Sequence, residues 1–294
     1  YLTDYFTDES LYWLDKQSRS TKPWFLFMSY NAPHAPMQAS EEDLAQFRHI
    51  KDEKRRIYAA MMFSLDRSVG RLTEWLKENG EFENTLTVFF SDNGGATTNK
   101  SWNGPLSGAK GCLKEGGIRV PMIWSWPGTL PSGKRYNSPT SALDLLPTFM
   151  AAAGTQPLPL RSPRSYEDKR NRTRLVKQLG AYEGINLLPS LKGNSNTPNR
   201  TLFWRLQGQA AILNGADKLI RLSHRPAQYF QPATDIAEQT DLAPLGDERF
   251  KSLFRQLGEW ESMLPTAPLW DSSPAWRGDS AKIYDTWIPK EEVQ

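Results

Sequence analysis

Asp92 and Asn93 set a carboxylate and an amide oxygen side by side in the run Ser91-Asp92-Asn93-Gly94-Gly95. Both are hard oxygen donors, a ligand type that suits Ca2+ or Mg2+. Two ligands do not complete a metal site, and D-N-G-G read alone is more often a turn. Further on, Lys110 stands in Gly108-Ala109-Lys110-Gly111, among small residues that let backbone approach a ligand closely. Its ammonium could grip an anion, although a lysine in a glycine-rich loop is more often simply solvated. It does not belong to a Walker loop, because G-x-x-x-x-G-K-[ST] is absent. His34, in N-A-P-H-A-P, lies between two prolines that leave its backbone few options, as suits a positioned catalytic or anion-binding imidazole. The plain alternative is a histidine bonded to nearby backbone. His49 and His224 have no comparable setting and read as structural or surface residues. Trp102, between the oxygen pair and Lys110, offers an aromatic face that would suit a sugar or aryl ring, or would pack against the protein.

The elements around these residues place them at the ends of strands. Trp24-Phe-Leu-Phe-Met-Ser-Tyr30 is a continuous apolar run that predicts a buried strand leading into the His34 loop, and Leu86 to Ser91 predicts another that delivers Asp92. Between them, Ile57, Met61, Leu65, Val69, Leu72 and Leu76 recur at helical spacing, with Gly80 at the position of a C-cap. Strand, helix, strand implies a parallel sheet, and in open α/β sheets ligands bind beyond the carboxyl ends of the strands. A short amphipathic helix is expected over Thr3 to Lys16, a loop over Gly104 to Gly117, a return to the sheet through I-R-V-P-M-I-W-S-W, and a helix over Ser141 to Ala153. Residues 156–184 carry prolines and a basic cluster and read as a surface insertion. Short apolar runs at 201–206, 210–213 and 218–222 predict an antiparallel sheet, followed by a helix near 247–263. The chain thus divides into a core over 1–194 and a C-terminal subdomain with its tail over 195–294, where Trp270, Trp276 and Trp287 are expected to pack on the body.

The totals are those of a globular protein of 294 residues, with 36 Lys and Arg against 33 Asp and Glu and 38% hydrophobic residues. A net charge of +3 gives no field for nucleic acid, so any attraction to an anion must come from local groups. The single cysteine, Cys112, excludes an internal disulfide framework and a cysteine-rich zinc site. No apolar run approaches the roughly 20 residues of a membrane span. The chain opens on Tyr1 without a methionine or a signal peptide, which implies a missing upstream segment.

Taken together, Y-L-T-D, Y-N-A-P-H-A-P, S-D-N-G-G, N-G-P-L-S-G-A-K-G, E-G-G-I-R-V-P, W-P-G and L-D-L-L-P-T resemble, in order and spacing, the type I sulfatases of the alkaline phosphatase superfamily. The later G-I-N-L-L-P-S-L, T-L-F-W-R and D-K-L-I-R-L extend the resemblance over most of residues 1–222. It implies an α/β fold, an alkaline phosphatase-like sandwich with a mostly parallel central sheet and a small C-terminal antiparallel subdomain. It also implies that Asp92 and Asn93 are metal ligands, that Lys110 and His34 contact sulfate, and that the protein is periplasmic or secreted. Asn93 where other branches show S-D-H-G points to the arylsulfatase and glycan sulfatase branch, with a sulfated carbohydrate or aryl sulfate as substrate.

One part of the family pattern is missing. Sulfatases make their nucleophile, a formylglycine, from C-x-P-x-R or S-x-P-x-R, and neither motif occurs here. Cys112 in G-C-L-K-E and Ser162 in R-S-P-R-S-Y do not qualify. The expectation is a sulfatase whose N-terminal half, bearing formylglycine and further metal ligands, is a partner absent from this chain. The competing readings are a phosphate or phosphonate ester hydrolase of the same superfamily and a non-catalytic remnant that binds sulfated glycans.

Overall fold

The computed structural model describes residues 1–18, 20–155, 183–195, 198–223, 225–264 and 284. The basic stretch at 156–182, with Ser162, lies outside them, as do His224, Trp270, Trp276 and Trp287. The chain forms two compact units. One consists of Tyr1–Lys110 with Gly116–Pro127, and the other of Gly111–Glu115 with the described part of Gly128–Trp287.

In the first unit, α1 (Leu2–Gln17) packs along α3 (Glu53–Glu78), with the short α2 (Glu41–Gln46) against α3. α1 buries Thr3, Thr7, Ser10 and Leu14, a stripe at helical spacing made mostly of small polar side chains. Such residues can be buried because Thr7 Oγ1 donates to the Thr3 carbonyl at 2.8 Å and Ser10 Oγ to the Phe6 carbonyl at 2.7 Å. Flanking this stripe, Asp4 and Asp8, one turn apart, meet Arg67 and Arg71, also one turn apart, at 3.2 and 2.6 Å. At the other end Trp75 Nε1 donates to Asp15 at 2.6 Å, above a core of Leu14, Trp75 and Leu76. α3 starts where Asp52 accepts the Arg55 N–H at 2.7 Å. It ends at Gly80, whose φ of 71° reverses the chain so that Glu81 N–H returns to the Leu76 carbonyl at 2.9 Å.

β1 (Thr87–Phe90) pairs with β2 (Met122–Ser125) in an antiparallel ladder, Val88 opposite Trp124 and Phe90 opposite Met122. Trp24–Tyr30 has the alternation of an extended segment, Phe25, Phe27 and Ser29 being exposed and the residues between them partly buried. It joins no ladder among the described residues, so the parallel pairing expected from strand, helix, strand is not formed there. Trp24 and Leu26 pack instead against the α1–α3 core.

In the second unit, α5 (Leu145–Ala152) follows a turn capped by Ser141, and α6 (Leu188–Leu191) packs on it. Asp144, fully buried, accepts the Ser141 and Ile185 N–H groups at 2.8 and 2.9 Å and pairs with Arg200 at 2.6 Å. The strands β3 (Thr201–Leu206), β4 (Gln209–Asn214), β5 (Asp217–Leu222) and β6 (Gln228–Phe230) form an antiparallel meander. The three expected strands are present, and β6 is a short fourth. α7 (Glu248–Ser262) lays Leu253 and Leu257 onto Ala210, Ile212, Leu219 and Tyr229, while Trp260 stacks on Phe203 at 4.9 Å between centroids. α4 (Glu115–Ile118) is a single turn between Lys110 and β2.

Two ion-pair clusters set the expected response to acid and to mutation. Burial pushes the Asp43 carboxyl up, but bonds from Arg67 and Ser40 outweigh it and hold the group below its ordinary 3.8. A depressed carboxylate adds stability above its unfolded pKa and loses it as pH falls through the folded value, so this contribution fades below about pH 4. Asp43→Asn is expected to flatten the acid limb of stability against pH. Arg67→Met should cost about 1–2 kcal/mol in urea unfolding at pH 7, the partial exposure of Arg67 screening the pair. An unchanged acid limb in Asp43→Asn would refute this account.

In the other cluster, Asp217 accepts from the Tyr229 hydroxyl at 2.7 Å, from Gln231 at 3.0 Å and from Arg249 Nε at 2.7 Å. Burial, and then Asp217, push the Tyr229 hydroxyl up to about 12. Asp217→Ala leaves three donors without their acceptor and should lower stability by about 2–3 kcal/mol. Tyrosine titration would then show Tyr229 returning toward the ordinary range.

Candidate active site

The loops that follow β1 and precede β2 are drawn together by backbone. Ser91 N–H donates to the Pro121 carbonyl at 3.3 Å and Gly94 N–H to that of Gly117 at 3.0 Å. Gly116 N–H donates to the Ser107 carbonyl at 2.7 Å. Glycine is required at this crossing by contact. A Cβ on Gly94 would lie 1.8 Å from the Gly116 oxygen, and one on Gly116 would lie 2.4 Å from the Gly108 oxygen. The D-N-G-G and E-G-G motifs are therefore the two sides of one backbone crossing, with S-G-A-K running along it.

Asn103 locks the crossing. Its Oδ1 accepts the Gly95 N–H at 2.8 Å, and its Nδ2 donates to the Gly95 carbonyl at 2.9 Å and to that of Gly108 at 3.3 Å. The Gly95 carbonyl also accepts the Lys110 N–H at 3.1 Å. This bond brings the backbone of Lys110 beside the loop that carries Asp92 and Asn93. Asn99 Nδ2 donates to the Pro33 carbonyl at 3.3 Å, which ties the N-A-P-H-A-P loop to the same array.

Within this frame each residue singled out from the sequence has a definite setting. Asp92 is exposed, and its Oδ1 accepts the Asn93 N–H at 2.9 Å. Asn93 is partly buried and spends Nδ2 on the Gly94 carbonyl at 2.9 Å. Among the described residues no hydrogen bond engages Asp92 Oδ2 or Asn93 Oδ1, so two oxygen donors remain available. No group of three or more His, Cys, Asp and Glu fit to hold a metal occurs among the described residues. His34 is exposed on a tight turn, its N–H on the Asn31 carbonyl at 2.7 Å and its Nδ1 at 2.7 Å from the Ala35 carbonyl. A carbonyl only accepts, so Nδ1 carries the proton there and Nε2 is the nitrogen left to meet a ligand. Trp102 is partly buried over Gly104, where a Cβ would come 2.3 Å from its Cζ2, so its ring packs on the loop.

Lys110 and the Asp92-Asn93 pair are brought together through Gly95, and His34 is linked through Pro33 and Asn99. No side-chain bond joins His34 to Lys110 among the described residues. Asn99 and Asn103 were not singled out from the sequence. The signal for Asn103 was its place in N-G-P-L-S-G-A-K-G, a motif whose asparagine has no chemistry of its own and serves only to satisfy backbone.

Comparison with known proteins gives the family of the chain. The Sulfatase family profile matches residues 1–155. The chain is 30% identical to the uncharacterized sulfatase YdeN of Escherichia coli (strain K12), over 69% of this chain and 33% of that protein. It is 29% identical to the N-acetylgalactosamine-6-sulfatase of Canis lupus familiaris, over 74% of this chain and 38% of that protein. Among solved structures, Ps i-CgsB in complex with k-i-k-neocarrahexaose superposes with a TM-score of 0.78 at 34% identity, covering 99% of this chain and 60% of that one. The phosphonate monoester hydrolase SpPMH from Silicibacter pomeroyi, 20% identical with a TM-score of 0.60, shares the fold. The chain spans well under half the length of both curated relatives and 60% of the solved Ps i-CgsB chain. With the family profile on more than half of its residues and the alkaline phosphatase-like fold of its neighbours, the chain belongs to the sulfatase family.

Proposed function

We propose that this chain is the sulfate-gripping and part of the metal-binding portion of a sulfate ester hydrolase that acts on a sulfated oligosaccharide. The observation that carries the reading is the Lys110 N–H bond to the Gly95 carbonyl, which sets a lysine beside the loop holding Asp92 and Asn93. The neocarrahexaose bound by the solved relative makes oligosaccharides of that class the first substrates to try. Asn93, in place of the histidine of S-D-H-G, favours sulfate over phosphonate.

Asp92 and Asn93 fit a Ca2+ ion as two of its oxygen ligands, since each keeps a hard donor free of hydrogen bonds among the described residues. Bound there, the ion would neutralise charge building on the sulfuryl oxygens. Ca2+ takes about 6–8 oxygens, so other segments must complete the set. Lys110 places an ammonium on the same oxygens, where an interaction that strengthens as charge develops lowers the barrier. His34, with Nδ1 committed to Ala35, presents Nε2 to orient the ester or move a proton at the leaving oxygen. Trp102 would border the leaving group with whatever ring face its packing on Gly104 leaves open.

Attack at sulfur is assigned to a formylglycine on a polypeptide segment outside these 294 residues, because no C-x-P-x-R or S-x-P-x-R lies within them. The same segment would cover apolar side chains that the first unit leaves exposed, Phe25 and Phe27 at 68% each and Ile123 at 60%. Action outside the cytoplasm fits glycan substrates of this kind. No helix among the described residues is long and apolar enough to cross a membrane.

The 294-residue chain alone is expected to release no sulfate. Co-expression with an N-terminal segment bearing the nucleophile motif, together with the enzyme that makes formylglycine, should restore solubility and Ca2+-dependent sulfate release. In that enzyme Lys110→Ala should lower kcat by about 100-fold or more, and Asp92→Ala should abolish the response to Ca2+. Rapid sulfate release by the chain alone would overturn the assignment of the nucleophile. Faster turnover of aryl phosphate than of aryl sulfate would overturn the assignment of the substrate.

A further inference from the structure

The segment Gly111–Glu115 begins one peptide bond after Lys110, and in the second unit it is held at every other residue by buried polar groups. Gln209, at the start of β4, donates Nε2 to the Gly111 carbonyl at 3.0 Å. The Tyr284 hydroxyl accepts the Leu113 N–H at 2.7 Å and donates to Gln209 Oε1 at 2.6 Å. Glu238 Oε2 accepts the Glu115 N–H at 2.7 Å. The Lys218 ammonium, on β5, lies 2.7 Å from Glu115 Oε1 and 2.8 Å from Glu238 Oε1. Lys218 is 0% exposed and Glu238 2%.

A lysine and two carboxylates withdrawn from water are costly, and leucines of similar volume would fill the same space without that cost. What the polar set adds is direction. Each group in it meets one particular atom of the segment, and the ladder fixes the origin of two of the bonds, with Gln209 opposite Leu222 and Lys218 opposite Leu213. Cys112 and Leu113 are buried between these anchors, and the Lys114 ammonium sits 5.7 Å from the centre of the Phe230 ring. The segment therefore has no room to slide. Lys110 itself is tied on its N-terminal side by its own N–H to Gly95.

We propose that Gln209, Lys218, Glu238 and Tyr284 are positioning residues for sulfate ester hydrolysis. By holding Gly111–Glu115 in one conformation they set the backbone from which Lys110 reaches the sulfuryl group. The last part of the chain thereby acts on turnover without touching substrate. This rests on the assignment of Lys110 to sulfate, and the Lys110→Ala background tells failure of the one from failure of the other.

Tyr284→Phe removes both hydroxyl bonds at constant ring volume, and Gln209→Ala serves in its place if that variant accumulates poorly. In the enzyme reconstituted with its formylglycine-bearing segment, amide hydrogen exchange over 111–116 should quicken by about 10-fold or more, with exchange in β4 and β5 unchanged. In the same enzyme, kcat should fall about 10-fold with KM altered less than about 2-fold. In a Lys110→Ala background the same substitution should cost nothing further, because its effect passes through that lysine. Unchanged exchange over 111–116, or an equal loss of kcat in both backgrounds, would overturn the positioning role. Lys110→Ala with undiminished kcat would instead overturn the sulfate assignment, and the catalytic role of the clamp with it, whatever the exchange rates.

Discussion

The carbonyl of Gly95 accepts from both Lys110 N–H and Asn103 Nδ2, and the candidate site depends on that shared acceptor. A carbonyl has two lone pairs, so it can hold two donors at once, and here the two come from one loop that must fold back to reach it. The approach is possible only because Gly94 and Gly116 have no side chains where the backbones cross. Lysine at 110 thus owes its place to glycines elsewhere. The chemistry proposed for the site lies in Lys110, Asp92 and Asn93, and its geometry lies in residues to which no chemistry is assigned.

The same logic governs the charged groups. Among the described residues, each deeply buried charge is met by a partner far away in sequence: Asp43 by Arg67, Asp144 by Arg200, Lys218 by Glu115 and Glu238. Such pairs add little net stability over apolar packing, yet breaking one leaves a charge in a poor solvent. They consequently tolerate few alternative arrangements. In the first unit the pairing of Asp4 and Asp8 with Arg67 and Arg71 repeats at one turn, which fixes the register of α1 on α3. In the second unit the pairing around Asp144 joins the cap of α5 to Ile185 and to Arg200 just before β3.

Much of the local structure was legible in the residues. α3 announced itself by apolar spacing and by Gly80 at its end, and β1 and β3–β5 by short apolar runs; a helix near 247–263 was expected where α7 lies. The order of D-N-G-G, G-A-K-G and E-G-G-I-R-V-P pointed to the family now shown by the match over residues 1–155. These features depend on neighbours a few positions apart, which a linear reading can see.

Other features exist only once the chain is folded. The apolar run at 24–30 encodes an extended segment, but whether it joins a ladder depends on a strand brought alongside it, and none of the described residues supplies one. Asn103 reads as a turn residue until Gly95 is placed against its amide. Lys218 reads as a polar residue at the start of a short apolar run, and Glu115 as the opening of a glycine motif; they stand 103 positions apart and meet at 2.7 Å. Hydrophobic period, capping and turn chemistry are local and were fixed by the sequence itself. The partner of a buried polar group is chosen by tertiary packing, because a desolvated donor or acceptor must find its complement wherever the fold brings one within about 3 Å.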